Sequence, residues 1–263
     1  MIRVLVAGAA GKVGREVVRA VTAADGMEVV AGVDPGASGV AIDTGSGTTV
    51  VCQESLESAI EASSPDVMVD FTNPSVVEGN LRIALNRGVD CVVGTTGVSE
   101  QRLSELAEHA TAGTTLFFAP NFAIGAVLMM DFAARAAKYL PHVEIIELHH
   151  DQKADAPSGT ALRTAQIVAA ARSEAPATPG RETELPGLEG ARGAVADGVH
   201  VHSVRLPGLV AHQEVLFGGQ GQTLSIRHDT IDRSSFTPGV VLAVREVGAR
   251  SGLIVGLDKL MGE

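Results

Sequence analysis

Two histidines, a lysine and a helix start that can hold an anion fall within fifteen consecutive positions, Glu147-Leu-His-His-Asp-Gln-Lys-Ala-Asp-Ala-Pro-Ser-Gly-Thr-Ala161. Imidazole titrates near neutral pH, so His149 suits a general acid or base. Lys153 adds a compact cation that can donate a proton. The stretch Asp155-Ala-Pro-Ser-Gly-Thr160 then runs into an alanine-rich segment, with Pro157 near the first turn, as helices begin. Backbone N–H groups of Gly159 and Thr160, with the hydroxyls of Ser158 and Thr160, make a cradle for a carboxylate or phosphate. Each residue alone would pass for a solvated loop position. Together they point to a small carboxylate-bearing substrate that is handed a proton.

The run 143–149 alternates as a strand does, and neighbouring side chains on a strand point to opposite faces. His149 and His150 are therefore expected to point apart and cannot easily share a metal. No further ligand stands at suitable spacing, so no metal site is expected. Cys52 and Cys91 are far apart, match no disulfide or metal framework, and read as structural thiols.

These groups need a scaffold, and the first half of the chain supplies a recognisable one. Segments 2–7, 28–34, 67–71, 89–93 and 115–119 read as strands, and 13–24, 55–62, 75–87 and 100–111 as helices. Their alternation predicts a Rossmann-like, doubly wound parallel sheet. After Asn121 the pattern changes to a long helix near 124–139, the strand at 143–148, a helix at 159–172, and three alternating runs at 200–206, 212–217 and 222–228. These predict a C-terminal α+β domain with a mostly antiparallel or mixed sheet. Segments 238–250 and 253–257 read as a helix and strand returning to the first domain. The expected division is therefore 1–122 plus 235–263 for dinucleotide binding, and 123–234 for substrate binding and oligomerisation. Residues 174–198, rich in Pro and Gly, read as a mobile loop.

The 263 residues can bury two cores, built mainly from aliphatic side chains because aromatics make up only 3% and tryptophan is absent. A formal net charge of −11 argues against nucleic acid as a partner. No stretch is apolar for the roughly 18 residues that a membrane span needs, and no signal peptide pattern opens the chain, so a cytoplasmic protein is expected.

Gly8, Gly11 and Gly14 follow the first strand and open the first helix, where a dinucleotide pyrophosphate can approach bare backbone and rest on helix N–H groups. Ala9 stands where the common fingerprint has its first glycine. Asp34, at the end of the second strand, is spaced to accept a hydrogen bond from a ribose 2′-hydroxyl and would repel a 2′-phosphate. NADH should therefore bind at least as well as NADPH. A phosphate loop of the Walker type is excluded, because Gly11-Lys12 is followed by Val13. Gly94-Thr95-Thr96 and Ala119-Pro120-Asn121-Phe122 fall beyond other strand ends and should flank the nicotinamide half.

The segment 147–161, the Gly8-Ala-Ala-Gly-Lys-Val-Gly14 turn, Gly94-Thr95-Thr96 and Ala119-Pro-Asn-Phe-Ala-Ile-Gly125 resemble the 4-hydroxy-tetrahydrodipicolinate (dihydrodipicolinate) reductase family, in its actinobacterial branch. The resemblance runs almost the full length. It implies an NADH- or NADPH-dependent reduction of a cyclic imine dicarboxylate in diaminopimelate and lysine biosynthesis, by a homotetramer associated through C-terminal sheets. It implies His149 as proton donor or acceptor, Lys153 as proton donor, and substrate carboxylates on His150 and on the Gly159-Thr160 turn. Cofactor contacts would come from Gly8, Ala9, Ala10, Gly11, Lys12, Val13, Asp34, Gly94, Thr95, Thr96, Ala119, Pro120, Asn121 and Phe122. The rival readings are another dehydrogenase of small carboxylates and a non-catalytic nucleotide-binding regulator. A semialdehyde dehydrogenase would need a nucleophilic cysteine, which neither Cys52 nor Cys91 suits.

Overall fold

The computed structural model describes residues 1–172 and 190–262, which form two compact units, Met1–Ile124 with Arg233–Glu263, and Gly125–Asp232. Most of the expected 174–198 loop lies outside the described residues.

In the first unit, β1 (Ile2–Ala7) buries Val4, Leu5 and Val6 completely, the mark of a parallel strand covered on both faces. It pairs in parallel with β2 (Met27–Val33) on one side and β5 (Val67–Asp70) on the other. Beyond β5 follow β6 (Asp90–Val93), β7 (Thr115–Phe118) and the returning β13 (Gly252–Val255), all parallel. Helix α1 (Lys12–Ala23) presents Gly14, Val17, Val18 and Val21 on one buried stripe, the spacing of a helix packed on a sheet. Helices α2 (Leu56–Ser63) and α4 (Glu100–Glu108) begin on Ser55 and Ser99, whose hydroxyls accept from the N–H of Ser58 at 3.3 Å and Arg102 at 3.2 Å. Helices α3 (Val77–Leu85) and α7 (Thr237–Val247) complete the layers.

Two strands absent from the periodicity reading extend this sheet at its β2 edge: β3 (Ala41–Asp43) and β4 (Thr49–Gln53), an antiparallel pair. They are short, and the turn between them is polar, with Thr44, Ser46 and Thr48 bonding one another through their hydroxyls. Because the six strands from β2 to β13 in this sheet run parallel, their carboxyl ends share one edge, and Gly8, Asp34, Phe71, Gly94 and Ala119 each follow a strand there.

The second unit is a five-stranded sheet ordered β12-β11-β8-β10-β9. Its central strand β8 (His142–His149) pairs antiparallel with β11 (Ala211–Gly219) and in parallel with β10 (Val199–Arg205). β12 (Gln222–Thr230) and β9 (Ala194–Ala196) form the edges. The sheet is thus mixed, and 190–198 contains a strand where a loop was expected. One face packs on α5 (Ile124–Ala137) and α6 (Gly159–Ala171), with Val143, Ile145, Val201, Val215 and Phe217 meeting Met129, Ala133, Ala161, Ala165 and Val168. Alternation places Glu147 and Gln213 on that same apolar face, paired across β8 and β11 and buried, with 0% and 4% of their surface exposed.

A β-carbon at Gly14 would sit 2.0 Å from the Gly8 carbonyl oxygen, whereas one at Gly79, exposed inside α3, meets nothing within 4 Å. Thermal unfolding of Gly14→Ala should show a loss of about 1–3 kcal/mol from overpacking. Gly79→Ala should gain ~0.5–1 kcal/mol, since alanine suits a helix interior better than glycine.

Candidate active site

At the carboxyl edge of the first unit's sheet, the glycine turn is held by backbone bonds from Gly8 and Ala9 N–H to the Val33 carbonyl, at 2.8 and 3.3 Å. Gly8 has φ +78°, and a side chain there would strike the Phe71 carbonyl at 2.6 Å. Helix α1 starts at Gly11 with no side-chain cap, which leaves first-turn N–H groups for an anion. Ala9 is completely buried, and a β-carbon on Gly32 would lie 3.1 Å from its methyl. The second strand therefore supplies the space that the common fingerprint takes from a glycine at position 9. The Asp34 carboxylate accepts from Ala10 N–H at 3.3 Å, and the Ala10 carbonyl accepts from Arg15 Nε at 3.0 Å.

Beside this turn lies a cleft of about 470 Å³, lined by Gly11, Lys12, Val13, Phe71, Thr72, Asn73, Pro74, Gly94, Thr95 and Thr96. Gly94 is required by its neighbour as well: a β-carbon there would lie 2.1 Å from the Phe71 ring, which packs on Phe122 with centroids 5.5 Å apart. Ala119 and Phe122 are buried, and Asn121 Oδ1 accepts from Ala123 N–H at 2.9 Å. These residues shape the edge, and none of Ala119, Asn121 and Phe122 lines the cleft.

Asp70, the last residue of β5, belongs to no sequence motif. Its carboxylate is fully buried yet accepts from Thr72 N–H at 3.0 Å, Thr72 Oγ1 at 2.7 Å, Thr95 Oγ1 at 2.7 Å and Asn80 Nδ2 at 2.8 Å. A buried carboxylate is tolerable when donors surround it, and these donors tie the ends of β5 and β6 to α3. Thr95, expected beside the nicotinamide half, lines the cleft, while its hydroxyl donates to Asp70. The bare backbone turn, the helix start and the cleft fit a dinucleotide.

In the second unit, strand β8 delivers Glu147 and His149 on one face, and the His149 Nδ1 meets Glu147 Oε2. Arg205, at the end of β10, grips the same carboxylate in two parallel bonds, Nη1 to Oε2 at 2.9 Å and Nη2 to Oε1 at 2.8 Å. Ser158 N–H donates to Oε1 at 3.2 Å. The remaining guanidinium N–H groups reach the carbonyls of Lys153 at 3.3 Å, Asp155 at 2.6 Å and Val204 at 2.7 Å. Burial pushes Glu147 up, but hydrogen bonding from Arg205, then Ser203 and His149, outweighs it and holds the carboxyl below its ordinary range. Burial lowers the His149 imidazole, helped by Lys153 and Arg205 and opposed by Glu147. The lowering favours the neutral ring.

Lys153 Nζ donates to both Asp155 oxygens, at 2.7 and 2.8 Å. Ser158 is the cap of α6: its hydroxyl oxygen accepts from Ala161 N–H at 3.2 Å and its backbone N–H donates to Glu147, which leaves the hydroxyl hydrogen as a donor. Pro157 immediately precedes that cap, near the first turn. Gly159 and Thr160 keep first-turn N–H groups, which have no partner within the helix. Gln213 Nε2 braces this turn through Thr164 Oγ1 at 2.8 Å, which donates to the Thr160 carbonyl at 2.8 Å. The strand ends at His149, so its alternation does not extend to His150, whose ring makes no hydrogen bond among the described residues. Sequence reading missed Glu147, Arg205 and Gln213 as site residues. The available signal was Glu147 itself, a charge in phase with the buried Val143 and Ile145.

Cys52 and Cys91 are buried and unpaired, and burial raises both thiols, which suits inert structural positions. Among the described residues no group of three or more His, Cys, Asp or Glu side chains could hold a metal ion, and no helix is long and apolar enough to cross a membrane.

Both halves of the chain match one family, described as dihydrodipicolinate reductase, N-terminus over residues 2–122 and C-terminus over 125–261. The chain is 53% identical over 262 residues to 4-hydroxy-tetrahydrodipicolinate reductase of Mycolicibacterium vanbaalenii, covering 99% of each chain. It is also 53% identical to the enzyme of the same name from Nocardia farcinica, covering 99% of this chain and 98% of that one. Among solved structures it is similar to dipicolinate-bound dihydrodipicolinate reductase from Paenisporosarcina sp. TG-14, with TM-score 0.84, 44% identity, and 99% and 100% of the two chains covered. A buried carboxylate that orients a histidine, a lysine and a helix start sits in the half matched by the C-terminal description, and a dinucleotide turn sits in the other, so the chain belongs to the dihydrodipicolinate reductase family.

Proposed function

We propose that this protein reduces 4-hydroxy-2,3,4,5-tetrahydrodipicolinate to 2,3,4,5-tetrahydrodipicolinate, an NAD(P)H-dependent step in diaminopimelate and lysine synthesis. Loss of water from the substrate gives a conjugated cyclic imine. A bound reduced nicotinamide supplies the hydride. Addition of hydride leaves an electron-rich enamine on the substrate ring, which must then take up one proton. The observation that carries this reading is the cluster in the second unit, where a lysine ammonium, an oriented histidine and an uncapped pair of helix N–H groups stand on shared supports.

Lys153 is the proton donor, because its ammonium carries three N–H groups. His149 accepts and passes protons through its ring. The Gly159 and Thr160 N–H groups, together with His150, hold the two carboxylates, and Ser158 serves them as cap. The Lys153–Asp155 pair must loosen when a substrate carboxylate takes Asp155's place. The relative whose structure is named for bound dipicolinate, an aromatic dicarboxylate, supports a dicarboxylate here. For the cofactor, Asp34 accepts from the ribose of NADH, while Arg15, bonded to the same Ala10 unit, offers a cation that lets NADPH serve as well. The protein acts in the cytoplasm as a homotetramer, without nucleic acid or membrane.

With aspartate semialdehyde and pyruvate condensed in situ, the pure protein should oxidise NADH. Lys153→Ala should lose roughly 10²–10⁴-fold in kcat, the usual worth of a positioned acid, with NADH affinity unchanged by fluorescence titration. Full turnover in that variant removes the acid role. Asp34→Ala should cost roughly 10–100-fold in kcat/KM for NADH, the value of a charged hydrogen bond, and far less for NADPH. Equal losses with both cofactors contradict the ribose contact.

A further inference from the structure

We propose that Glu147 and Arg205 form a positioning pair that fixes His149 as the Nδ1–H tautomer, leaves its Nε2 free to accept a proton, and holds the Lys153 loop beside it. The proposal rests on the proton-transfer roles given above to His149 and Lys153.

The geometry leaves little freedom. An ionised carboxylate only accepts, so the His149 nitrogen facing Glu147 must carry the hydrogen. Glu147 Oε2 takes His149 and Arg205, and Oε1 takes Arg205 and Ser158, so both oxygens of a fully buried carboxylate are held by donors from three separate segments. Arg205 in turn spends all five of its N–H donors, two on Glu147 and one each on the carbonyls of Lys153, Asp155 and Val204. One guanidinium thus joins the carboxylate that sets the histidine to the backbone that carries the lysine. The same carboxylate also fixes Ser158, from which α6 and its open N–H groups begin.

The pair also sets charge. A buried carboxylate facing an imidazole with no other partner would draw a proton onto it, and an imidazolium has no acceptor at Nε2. Arg205 supplies the compensating charge, so the ring can stay neutral. The groups around His149 are Glu147 on its own strand, Arg205 on β10, and Lys153 with Asp155 on the following loop, while β11 places the uncharged Ala211 beside it.

The test uses the full-length enzyme with cofactor and in situ substrate. The acid limb of kcat/KM reports loss of the neutral imidazole as pH falls. Glu147→Gln removes the group that raises the His149 pKa and leaves Arg205, so the acid limb should move to lower pH while kcat falls roughly 10²-fold or more from a wrong tautomer. Arg205→Gln removes the cation and leaves Glu147, so the limb should move to higher pH. A purely structural role would reduce folded protein without moving the limb in opposite directions, and unshifted limbs in both folded variants overturn the proposal. Should either variant fail to fold, the wild-type protein still decides. Nitrogen NMR of histidine-labelled enzyme, assigned with His149→Gln, should show His149 protonated at Nδ1 and bare at Nε2 near neutral pH. The Nε2–H form or an imidazolium there overturns the proposal. Absence of substrate-dependent NADH oxidation by the wild type would instead sink the functional reading, with the NMR result still standing for or against the pair.

Discussion

A carboxylate in the middle of an apolar layer constrains everything near it. Glu147 lies on the face of the second sheet that otherwise packs aliphatic side chains on α5 and α6. An unpaired ion there costs several kcal/mol or more, and even a well-paired one contributes little net stability relative to an apolar replacement of similar volume. Its satisfaction therefore dictates the surrounding layout: β10 must end where Arg205 can grip it, the loop after β8 must turn back over the guanidinium, and α6 must begin with the Ser158 N–H pointing at it. The chemistry proposed for His149, Lys153 and the Gly159-Thr160 turn uses groups that this one ion places.

The first unit solves a similar problem in a similar way. Asp70, the last residue of β5, is likewise fully buried and is surrounded by donors from neighbouring turns and from α3. Asp70 closes its strand and Glu147 lies two residues before the end of its own, so both carboxylates reach the loops that follow. Loops at such positions have few apolar contacts of their own, and a buried anion that collects several donors from them restricts the loops without a large core. Gly94 and Phe71 add a steric lock at the first unit's edge, since the ring occupies the space that any side chain at 94 would need.

What could be read from the sequence follows from the range of the signals. Apolar runs such as 4–7 and the 14, 17, 18, 21 stripe are local, so the parallel sheet and its helices were legible, as was the return of 253–257 to the first sheet. The hairpin of β3 and β4 and the strand β9 were not, because three to five residues in Gly-, Ser- and Thr-rich surroundings carry no usable period. The parallel pairing of β8 with β10 depends on register between segments more than fifty residues apart. Chemistry followed the same rule. His149, Lys153 and the helix start are contiguous and were visible, whereas Arg205 reaches Glu147 across 58 positions and Thr95 reaches Asp70 across 25. Ser158 shows the limit of a motif that is correctly located: the helix start was legible, but the bond from the Ser158 N–H to Glu147 was not.

The most direct test of this account is a crystal structure of the protein with dipicolinate bound. In that complex Lys153 Nζ should leave Asp155 for a ligand carboxylate, a carboxylate should rest on the Gly159 and Thr160 N–H groups, and the bonds from Arg205 and His149 to Glu147 should stay as they are. A ligand held without Lys153 or the start of α6, or a Glu147 side chain turned away from His149 in the complex, would contradict it.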